Sequence, residues 1–283
     1  MKYLYFPGCS LKNYAKRYEE TAVAVAKALG IELIELKRWN CCGAVSGLAE
    51  DSVFHHIAAV RDLVRAQEQL DEADSNKLVT VCSMCYRVLA SVNNRLKHNP
   101  EDLDTINEFM SPEEYNGGIE VVHLLQIIKD DIGFDRIAEL TKKDLSNIKV
   151  APYYGCVLVR PKETAIDDPN EPTILEELIK STGATAVENP LRTECCGSYN
   201  VVTNRELVKH RILNLLKPIM RENIDFLISV CPLCTFNLEF GIKANKKELH
   251  GREIPVLYFT EFLALAFGLD DKLEKEVLQA VNI

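Results

Sequence analysis

The chain has 283 residues, 47% of them hydrophobic, and a formal net charge of −9 at pH 7. This length and hydrophobic content suit two domains of about 140 residues, each with its own core. The acidic balance and the lack of a basic tract argue against a nucleic acid as the partner.

Strand and helix patterns alternate along the first half of the sequence. The apolar run at 2–6 is typical of a buried strand, and apolar residues at helical spacing then continue to Gly30, a common helix stop. The same reasoning predicts further strands at 31–36, 78–81 and 121–122, and helices at 53–64, at 84–96 and along the apolar run after 122.

The second half repeats this alternation. Its strands are predicted at 149–153, 185–188 and 226–230, and its helices at 173–181 and after Pro232. A capping-box pair, Thr203 and Glu206, predicts the start of another helix. Residues 256–268 align with 121–133, so the last strand and helix are repeated too. We therefore expect an α/β fold of two pseudo-symmetric, duplicated domains, each a small, mainly parallel sheet flanked by helices.

The sequence indicates neither a membrane span nor secretion. The longest apolar stretch, 256–269, contains Glu261 and falls short of the roughly 20 residues that a membrane-spanning helix needs. The first ten residues lack the basic stretch, apolar core and cleavage site of a secretion signal. We expect a soluble, cytoplasmic protein with no membrane span of its own.

The ten cysteines form two copies of one pattern, and this repeat is the most informative feature of the chain. Each copy has a single cysteine, then Cys-Cys-Gly, then Cys-x-x-Cys, and the flanking residues repeat with them. The first copy is Cys9, Cys41, Cys42, Cys82 and Cys85, and the second is Cys156, Cys195, Cys196, Cys231 and Cys234. The duplication predicts a first domain at 1–147 and a second at 148–283.

The predicted strands bring each set of cysteines to one edge of a sheet. The single cysteines and the Cys-x-x-Cys pairs follow strands directly, and sites in parallel sheets form beyond the carboxyl ends of the strands. The Cys-x-x-Cys pairs should open helices, where backbone N–H groups favour a thiolate. Gly43 and Gly197, which end the Cys-Cys-Gly motifs, are expected to take up positive φ or simply to form a turn.

Several kinds of site could use these cysteines. Disulfides would need an oxidising compartment, and five cysteines per copy is an odd number for pairing. Zinc binds Cys-x-x-Cys readily, but it takes four ligands, usually from two compact knuckles. Buried apolar cysteines would not recur twice in the same pattern. The residues favour one unusual polynuclear iron-sulfur cluster per half, with up to five thiolate ligands and one cysteine possible as a spare.

The cysteine order resembles the cysteine-rich CCG domain pair in the B subunit of heterodisulfide reductase from methanogenic archaea. The resemblance covers nearly the whole chain, and both motifs are complete. It implies two non-cubane [4Fe-4S] clusters that face a shared cleft, with one held by each set of five cysteines. It also implies the activity, which is reduction of the heterodisulfide of coenzyme M and coenzyme B to two thiols by one-electron chemistry.

The family also implies partners and an alternative function. Its partners are the C subunit, with cubane iron-sulfur clusters, and the A subunit, which is an electron-bifurcating flavoprotein, with a hydrogenase or formate dehydrogenase upstream. An external electron source suits this chain, which has no G-x-G-x-x-G nucleotide motif. The alternative is a CCG-domain electron-transfer subunit of another oxidoreductase, of the lactate or glycolate, succinate or sulfur-oxidising type.

Charged residues near the cysteines are candidates for holding a small anionic disulfide. Four cations could bind its sulfonate, phosphate or carboxylate groups, or could be exposed loop residues: Lys12, Arg160, Lys162 and Arg192. His123 follows the fourth predicted strand and could assist protonation or be structural. His55 and His56 are expected to be partly exposed. The charged segment 98–118, which the second half lacks, is expected to be a surface insertion with some helix or a partner-docking site.

Overall fold

The computed structural model describes residues 1–44, 52–275, 277 and 278. Its first half contains strands β1 Lys2–Phe6, β2 Glu32–Glu35, β3 Lys77–Thr80 and β4 Glu120–His123. The helices of this half are α1 Gly8–Leu11, α2 Lys16–Ala28, α3 Ile57–Glu68, α4 Ser83–His98, α5 Pro100–Met110, α6 Leu124–Gln126 and α7 Phe134–Leu140. A 3₁₀ turn, Val53–His56, precedes α3, and a π-helical segment, Ile127–Ile132, follows α6.

The second half repeats this order of elements. Its strands are β5 Lys149–Tyr153, β6 Thr185–Ala186, β7 Phe226–Ser229 and β8 Val256–Tyr258. Its helices are α8 Ile174–Ser181, α9 Asn200–Thr203, α10 Arg205–Leu216, α11 Pro232–Ala244 and α12 Phe259–Ala266. Within the described ranges, no helix combines the length and apolar character needed to cross a bilayer.

Each half forms a four-stranded sheet in which every neighbouring pair is parallel. The strand orders are β2-β1-β3-β4 and β6-β5-β7-β8, so the two sheets have the same topology. The central strands are buried, as their continuous apolar runs predict. The predicted fold class, two duplicated α/β units with parallel sheets, is confirmed. The domain boundary between residues 147 and 148 stays a prediction. Residues 279–283, which end the predicted second domain, lie outside the described part.

The second strand of the second half is shorter than the pattern predicts. The prediction was 185–188, but β6 ends at Ala186. Pro152 lies in β5 where the ladder to β6 stops, and proline has no N–H to donate to a neighbouring strand. The first half has Tyr5 at this place, and there the pairing with β2 continues to Glu35.

The capping box predicted from Thr203 and Glu206 is wrong. Thr203 ends the short helix α9, and Asn204 is the N-cap of α10. The Asn204 side chain accepts a hydrogen bond from the Leu207 N–H at 3.1 Å. The residues that precede Asn204 belong to another helix, which the spacing alone does not reveal.

The two halves pack on each other through helices. Helix α2 of the first half packs on α12 of the second, and α8 of the second packs on α7 of the first. Tyr18 on α2 stacks on the Tyr258 ring with 3.9 Å between ring centroids, and the Thr21 and Thr260 hydroxyls lie 2.7 Å apart. One buried apolar cluster therefore spans both halves. Helix α5 lies in the extra segment 98–118, as predicted for an insertion with some helix.

Candidate metal centre

The parallel strands deliver the cysteines to one edge of each sheet. Cys9 lies in α1, immediately after β1, and Cys156 follows β5. Cys82 and Cys231 are the N-cap residues of α4 and α11, so each Cys-x-x-Cys pair opens a helix as predicted. All ten cysteines are free thiols.

Within the first half, the five thiols are neighbours in an unbroken series. The Cys41 sulfur lies 3.6 Å from the Cys9 sulfur, and the Cys42 sulfur lies 3.6 Å from the Cys85 sulfur. The Cys41 and Cys42 thiols, and likewise the Cys85 and Cys82 thiols, are close enough to shift each other's pKa. Residues from distant parts of this half thus share one small volume.

The second half contains the same series, and the two series meet. Neighbouring thiols shift each other's pKa in the same order, which places Cys156 by Cys195, Cys195 by Cys196, Cys196 by Cys234 and Cys234 by Cys231. The Cys82 and Cys231 thiols are also close enough to shift each other's pKa, so the two series meet there. Ten sulfurs therefore form one continuous row, with the two Cys-x-x-Cys pairs at its centre.

The row is buried at its centre and open at its ends. Cys82 and Cys231, where the halves meet, are 4% and 2% exposed. Cys9 and Cys41 at one end are exposed, and Cys156 and Cys195 at the other are half-buried. In the described part of the chain, no three His, Cys, Asp or Glu side chains surround a common point as the ligands of a single ion would.

Two glycines leave room for the sulfurs in the same way in both halves. Gly8, with φ +74°, would place a Cβ 2.8 Å from the Cys85 sulfur, and Gly155, with φ +67°, would place one 3.0 Å from the Cys234 sulfur. Any side chain at these positions would press on a thiol and would hold a strained backbone. The donor set and its clearance fit a polynuclear cluster ligated by thiolates in each half.

Hydrogen bonding favours a thiolate at the first cysteine of each Cys-Cys-Gly motif. The neighbouring Cys42 thiol, assisted by the Gly43 N–H, lowers the pKa of Cys41 to about 5 against the opposing effect of burial. The Cys156 and Cys196 thiols lower the pKa of Cys195 in the same way, and the Gly197 N–H lies 3.4 Å from its sulfur. Gly43 and Gly197 both have positive φ, which is one of the alternatives that the sequence left open.

The two Cys-Cys-Gly loops are held by different side chains. In the first half, buried Asp62 accepts the Asn40 N–H at 2.9 Å, and burial raises the pKa of Asp62 to about 8. In the second half, Tyr153 donates to the Glu194 carbonyl at 2.6 Å, and Arg211 donates to the Cys195 carbonyl. The supporting side chains were missed because they lie on helices and strands far from these loops in sequence and carry no local motif.

The amide of Asn237 also supports the second loop. Its Nδ2 lies 2.9 Å from the Ser198 carbonyl, 3.3 Å from the Cys196 carbonyl and 3.4 Å from the Cys196 sulfur. Its position in the sequence, three residues after Cys234, is one helical turn from that cysteine, a signal that could have marked it.

Three of the four predicted anion-binding cations pair with protein groups. Lys12 forms ion pairs with Glu19 at 2.6 Å and Glu35 at 2.7 Å. Arg160 donates hydrogen bonds to the carbonyls of Thr193 and Pro169. Arg192 forms an ion pair with Glu176 at 2.8 Å. The fourth cation, Lys162, is exposed. Their role toward a substrate stays a prediction.

The histidines have different settings. His123 is buried, its Nε2 lies 2.8 Å from the Val81 carbonyl, and its Nδ1 accepts the Leu125 N–H. Burial lowers the pKa of His123 to about 4, so the ring is neutral at pH 7. The expectation that both His55 and His56 are partly exposed is wrong for His56, which is 3% exposed and lies 3.3 Å from Arg95 because the 3₁₀ turn directs it inward.

An aromatic groove lies beside the centre of the row. It has a volume of about 530 Å³, and its lining includes Tyr14, Tyr199 and Phe236, together with Pro232 and Leu233 between the cysteines of α11. Tyr14 and Tyr199 are 59% and 43% exposed. Burial, followed by the negative charges of Cys82 and Cys231, raises the pKa of Tyr199 to about 12, which puts this ring near the meeting point of the two series.

The chain is similar to known proteins in sequence and in fold. The CCG family, described as a cysteine-rich domain, matches residues 3–90 and 150–239. A hypothetical protein from Helicobacter pylori has a similar fold, with a TM-score of 0.71, 14% identity, and coverage of 99% of this chain and 50% of that one. That likeness concerns the fold alone.

Three relatives align along nearly the whole chain. The 8-methylmenaquinol:fumarate reductase membrane anchor subunit of Wolinella succinogenes is 28% identical, covering 100% of this chain and 99% of that protein. The B subunit of the ferredoxin/F420H2-dependent CoB-CoM heterodisulfide reductase of Methanosarcina acetivorans is 28% identical, with coverage of 98% and 93%. A protein of Archaeoglobus profundus that is named as similar to the heterodisulfide reductase B subunit is 29% identical, with coverage of 95% and 92%. The chain therefore belongs to the CCG cysteine-rich domain family, with the domain present twice, and the predicted family is confirmed.

Proposed function

We propose that this chain is the catalytic iron-sulfur subunit of a heterodisulfide reductase. Its two cysteine sets hold two non-cubane [4Fe-4S] clusters that face a shared cleft and reduce the heterodisulfide of coenzyme M and coenzyme B to two thiols. The observation that carries this proposal is the continuous row of ten thiols, in which two complete sets meet at Cys82 and Cys231. The heterodisulfide reductase B subunits among the relatives support it.

The arrangement suits a reaction that needs two electrons and separates two sulfurs. Cleavage of a disulfide consumes two electrons and two protons and yields two thiols. Iron-sulfur clusters supply electrons one at a time and can take up sulfur on iron, so one in each half would match the two ends of the substrate. The chain's own role is to hold both groups within reach of one disulfide and to keep the centre of the row buried.

The surroundings of the row offer groups for the substrate. We propose that the anionic groups of the substrate interact with the predicted cations. Exposed Lys162 makes direct contact. The other three cations, Lys12, Arg160 and Arg192, act through the loops that they stabilise. The aromatic groove beside Tyr14 and Tyr199 can receive an apolar arm of the substrate. His123 is neutral and both its nitrogens are engaged, so we propose a positioning role at the Val81 carbonyl, next to Cys82.

Electrons have to come from a partner. We propose that the chain works in the cytoplasm with a protein that carries cubane clusters and with a flavoprotein that bifurcates electrons, fed by a hydrogenase or formate dehydrogenase. The heterodisulfide reductase names of the relatives, which are subunits of larger enzymes, support a multisubunit assembly.

A second candidate is an electron-transfer role in a different reductase. The fumarate reductase relative from Wolinella succinogenes aligns over 100% of this chain and 99% of its own length, and it is named a membrane anchor subunit. In that role the two clusters would relay electrons between partners, and neither would bind a disulfide.

Two measurements on anaerobically purified protein separate these functions. Two [4Fe-4S] clusters predict about eight irons and eight sulfides per chain in both cases. Turnover of the heterodisulfide with a one-electron donor is expected only for the reductase. Fully loaded protein that reduces no disulfide would leave the relay function standing, and about two zincs with little iron would contradict both.

A further inference from the structure

The sulfur of Cys196 accepts a hydrogen bond from a side-chain amide. Its counterpart in the first half is the sulfur of Cys42, which has no side-chain amide donor among the described residues. Asn237 is fully buried on α11, and its Nδ2 lies 3.4 Å from the Cys196 sulfur. The same nitrogen faces the carbonyl oxygens of Cys196 and Ser198. All three neighbours are acceptors, so the amide must direct its N–H groups, and not its oxygen, toward the loop.

The amide oxygen of Asn237 indicates that the N–H groups are the useful part of this side chain. Its Oδ1 is buried without a hydrogen-bond partner among the described residues. A buried, unpaired carbonyl oxygen costs stability, and an apolar side chain of similar size would remove that cost. The amide therefore contributes its N–H groups to the Cys-Cys-Gly loop, and with them an N–H···S contact.

The equivalent position in the first half is Val88. It lies three residues after Cys85, as Asn237 lies three residues after Cys234, and it is also fully buried. In that half the Cys42 sulfur is in contact with Cys85 at 3.6 Å, as Cys196 is with Cys234. Valine has no N–H to donate from its side chain, so the two structurally equivalent sulfurs have different surroundings at this position.

The arginines near the two loops bear on other groups than the sulfur that Asn237 contacts. In the second half, Arg211 beside Cys195 is paired with Glu194 at 3.2 Å. In the first half, Arg61 lines the same small cavity as Cys41 and lies 3.9 Å from Glu113. Arg211 donates to the Cys195 carbonyl and helps to lower the pKa of Cys195, so it acts on a different thiol from the one that Asn237 contacts.

We propose that Asn237 makes the cluster of the second half easier to reduce than that of the first. Hydrogen bonds to ligand sulfurs are among the factors that set the potential of an iron-sulfur cluster, because they withdraw charge from the thiolate and so stabilise the more negative, reduced state. Electrons from a partner would then collect first in the second half. This inference rests on the proposed cluster content and goes beyond it by making the two clusters unequal.

Reciprocal variants of the iron-loaded chain test it. Asn237→Val and Val88→Asn would be titrated potentiometrically and followed by electron paramagnetic resonance, with Cys9→Ser and Cys156→Ser used to assign the signals to the halves. Asn237→Val should make reduction of the second cluster about tenfold less favourable, which corresponds to about 59 mV for one electron, and should leave the first unchanged. Val88→Asn should shift the first cluster in the opposite direction.

The outcomes separate this inference from the proposed function. Iron and sulfide content of the unmodified chain decides whether the clusters exist. If they do, an unchanged potential in loaded Asn237→Val overturns the role of Asn237. Should that variant fail to load, Val88→Asn decides instead, and no rise in the potential of the first cluster would overturn the inference.

Discussion

The two halves hold equivalent sets of cysteines with different supporting side chains. In the first half, the Cys-Cys-Gly loop is fixed by Asn40 and the buried carboxyl of Asp62. In the second, Tyr153 and Asn237 hold the corresponding loop through hydrogen bonds to its carbonyl groups. The positions of the sulfurs and of the glycines next to them are thus retained, while the polar residues behind the loops differ. The site requires the thiol geometry, which more than one arrangement of neighbours can provide.

A second contrast lies behind the two Cys-x-x-Cys pairs. The fourth strand of the first half ends at His123, which is neutral and contacts the Val81 carbonyl. The fourth strand of the second half ends at Tyr258, which stacks on Tyr18. Of these two side chains, only the histidine can change its charge in mildly acidic solution, so the halves should respond differently to pH.

The largest expected effect comes from removing one thiol of each set. Under the proposed function, Cys41→Ala and Cys195→Ala should each reduce multi-turnover disulfide reduction to background, since one half alone can supply only one electron. Steady-state turnover with a one-electron donor measures this. Leu207→Ala, a change at a 46% exposed residue on α10, is the control and should leave turnover unchanged. Activity retained in either cysteine variant would mean that the halves are not equal partners.

Adding a methyl group beside the sulfurs should affect both halves alike. Gly8→Ala and Gly155→Ala should each lose about 1–2 kcal/mol of stability from left-handed backbone strain and should also displace a sulfur, lowering iron content. Gly30→Ala is the matched control, because Gly30 has φ +80° and nothing within 4 Å of the added Cβ. It should lose stability by denaturant unfolding but load iron normally. Equal iron loss in all three variants would contradict the role of the clearance.

Acid should destabilise the protein through the first half. The pKa of His123 is about 4 when buried, below its ordinary value near 6.5, so its contribution to stability is present above pH 6.5 and is lost as pH falls toward 4. Between pH 7 and 5 this amounts to about 2 kcal/mol. Urea unfolding of the chain and of His123→Gln at both pH values measures the difference. The same pH dependence in both proteins would exclude His123 as its source.

The smallest effect is expected where the halves are joined. The Tyr18 hydroxyl is 2.8 Å from the Val81 carbonyl and 3.2 Å from the Val230 carbonyl, the residues that precede Cys82 and Cys231. Tyr18→Phe should cost about 1 kcal/mol, because His123 still contacts the first carbonyl and Ser83 still donates to the second. Thermal unfolding measures this, and a loss several times larger would show that Tyr18 bears the contact between the halves alone.

Much of the fold could be predicted from local patterns. The predicted strands other than β6 have their counterparts at nearly the predicted bounds, because apolar runs that end in turns mark buried parallel strands. The errors arose where another part of the chain decides the outcome. Strand β6 is short because of Pro152 in the neighbouring strand, and α10 begins at Arg205, capped by Asn204, because α9 ends immediately before that cap.

The candidate site divides in the same way. The sequence by itself determined the two sets of cysteines, the helices that the Cys-x-x-Cys pairs open and the parallel sheets that carry them, since spacing and strand order are local properties. Only the tertiary structure decided that Cys82 lies against Cys231, that Gly8 and Gly155 border the sulfurs, and that Asn237 faces Cys196. These contacts join residues that are distant in sequence. They form when one half packs on the other or when a helix packs on a loop, and a local sequence pattern does not specify which distant residues will meet.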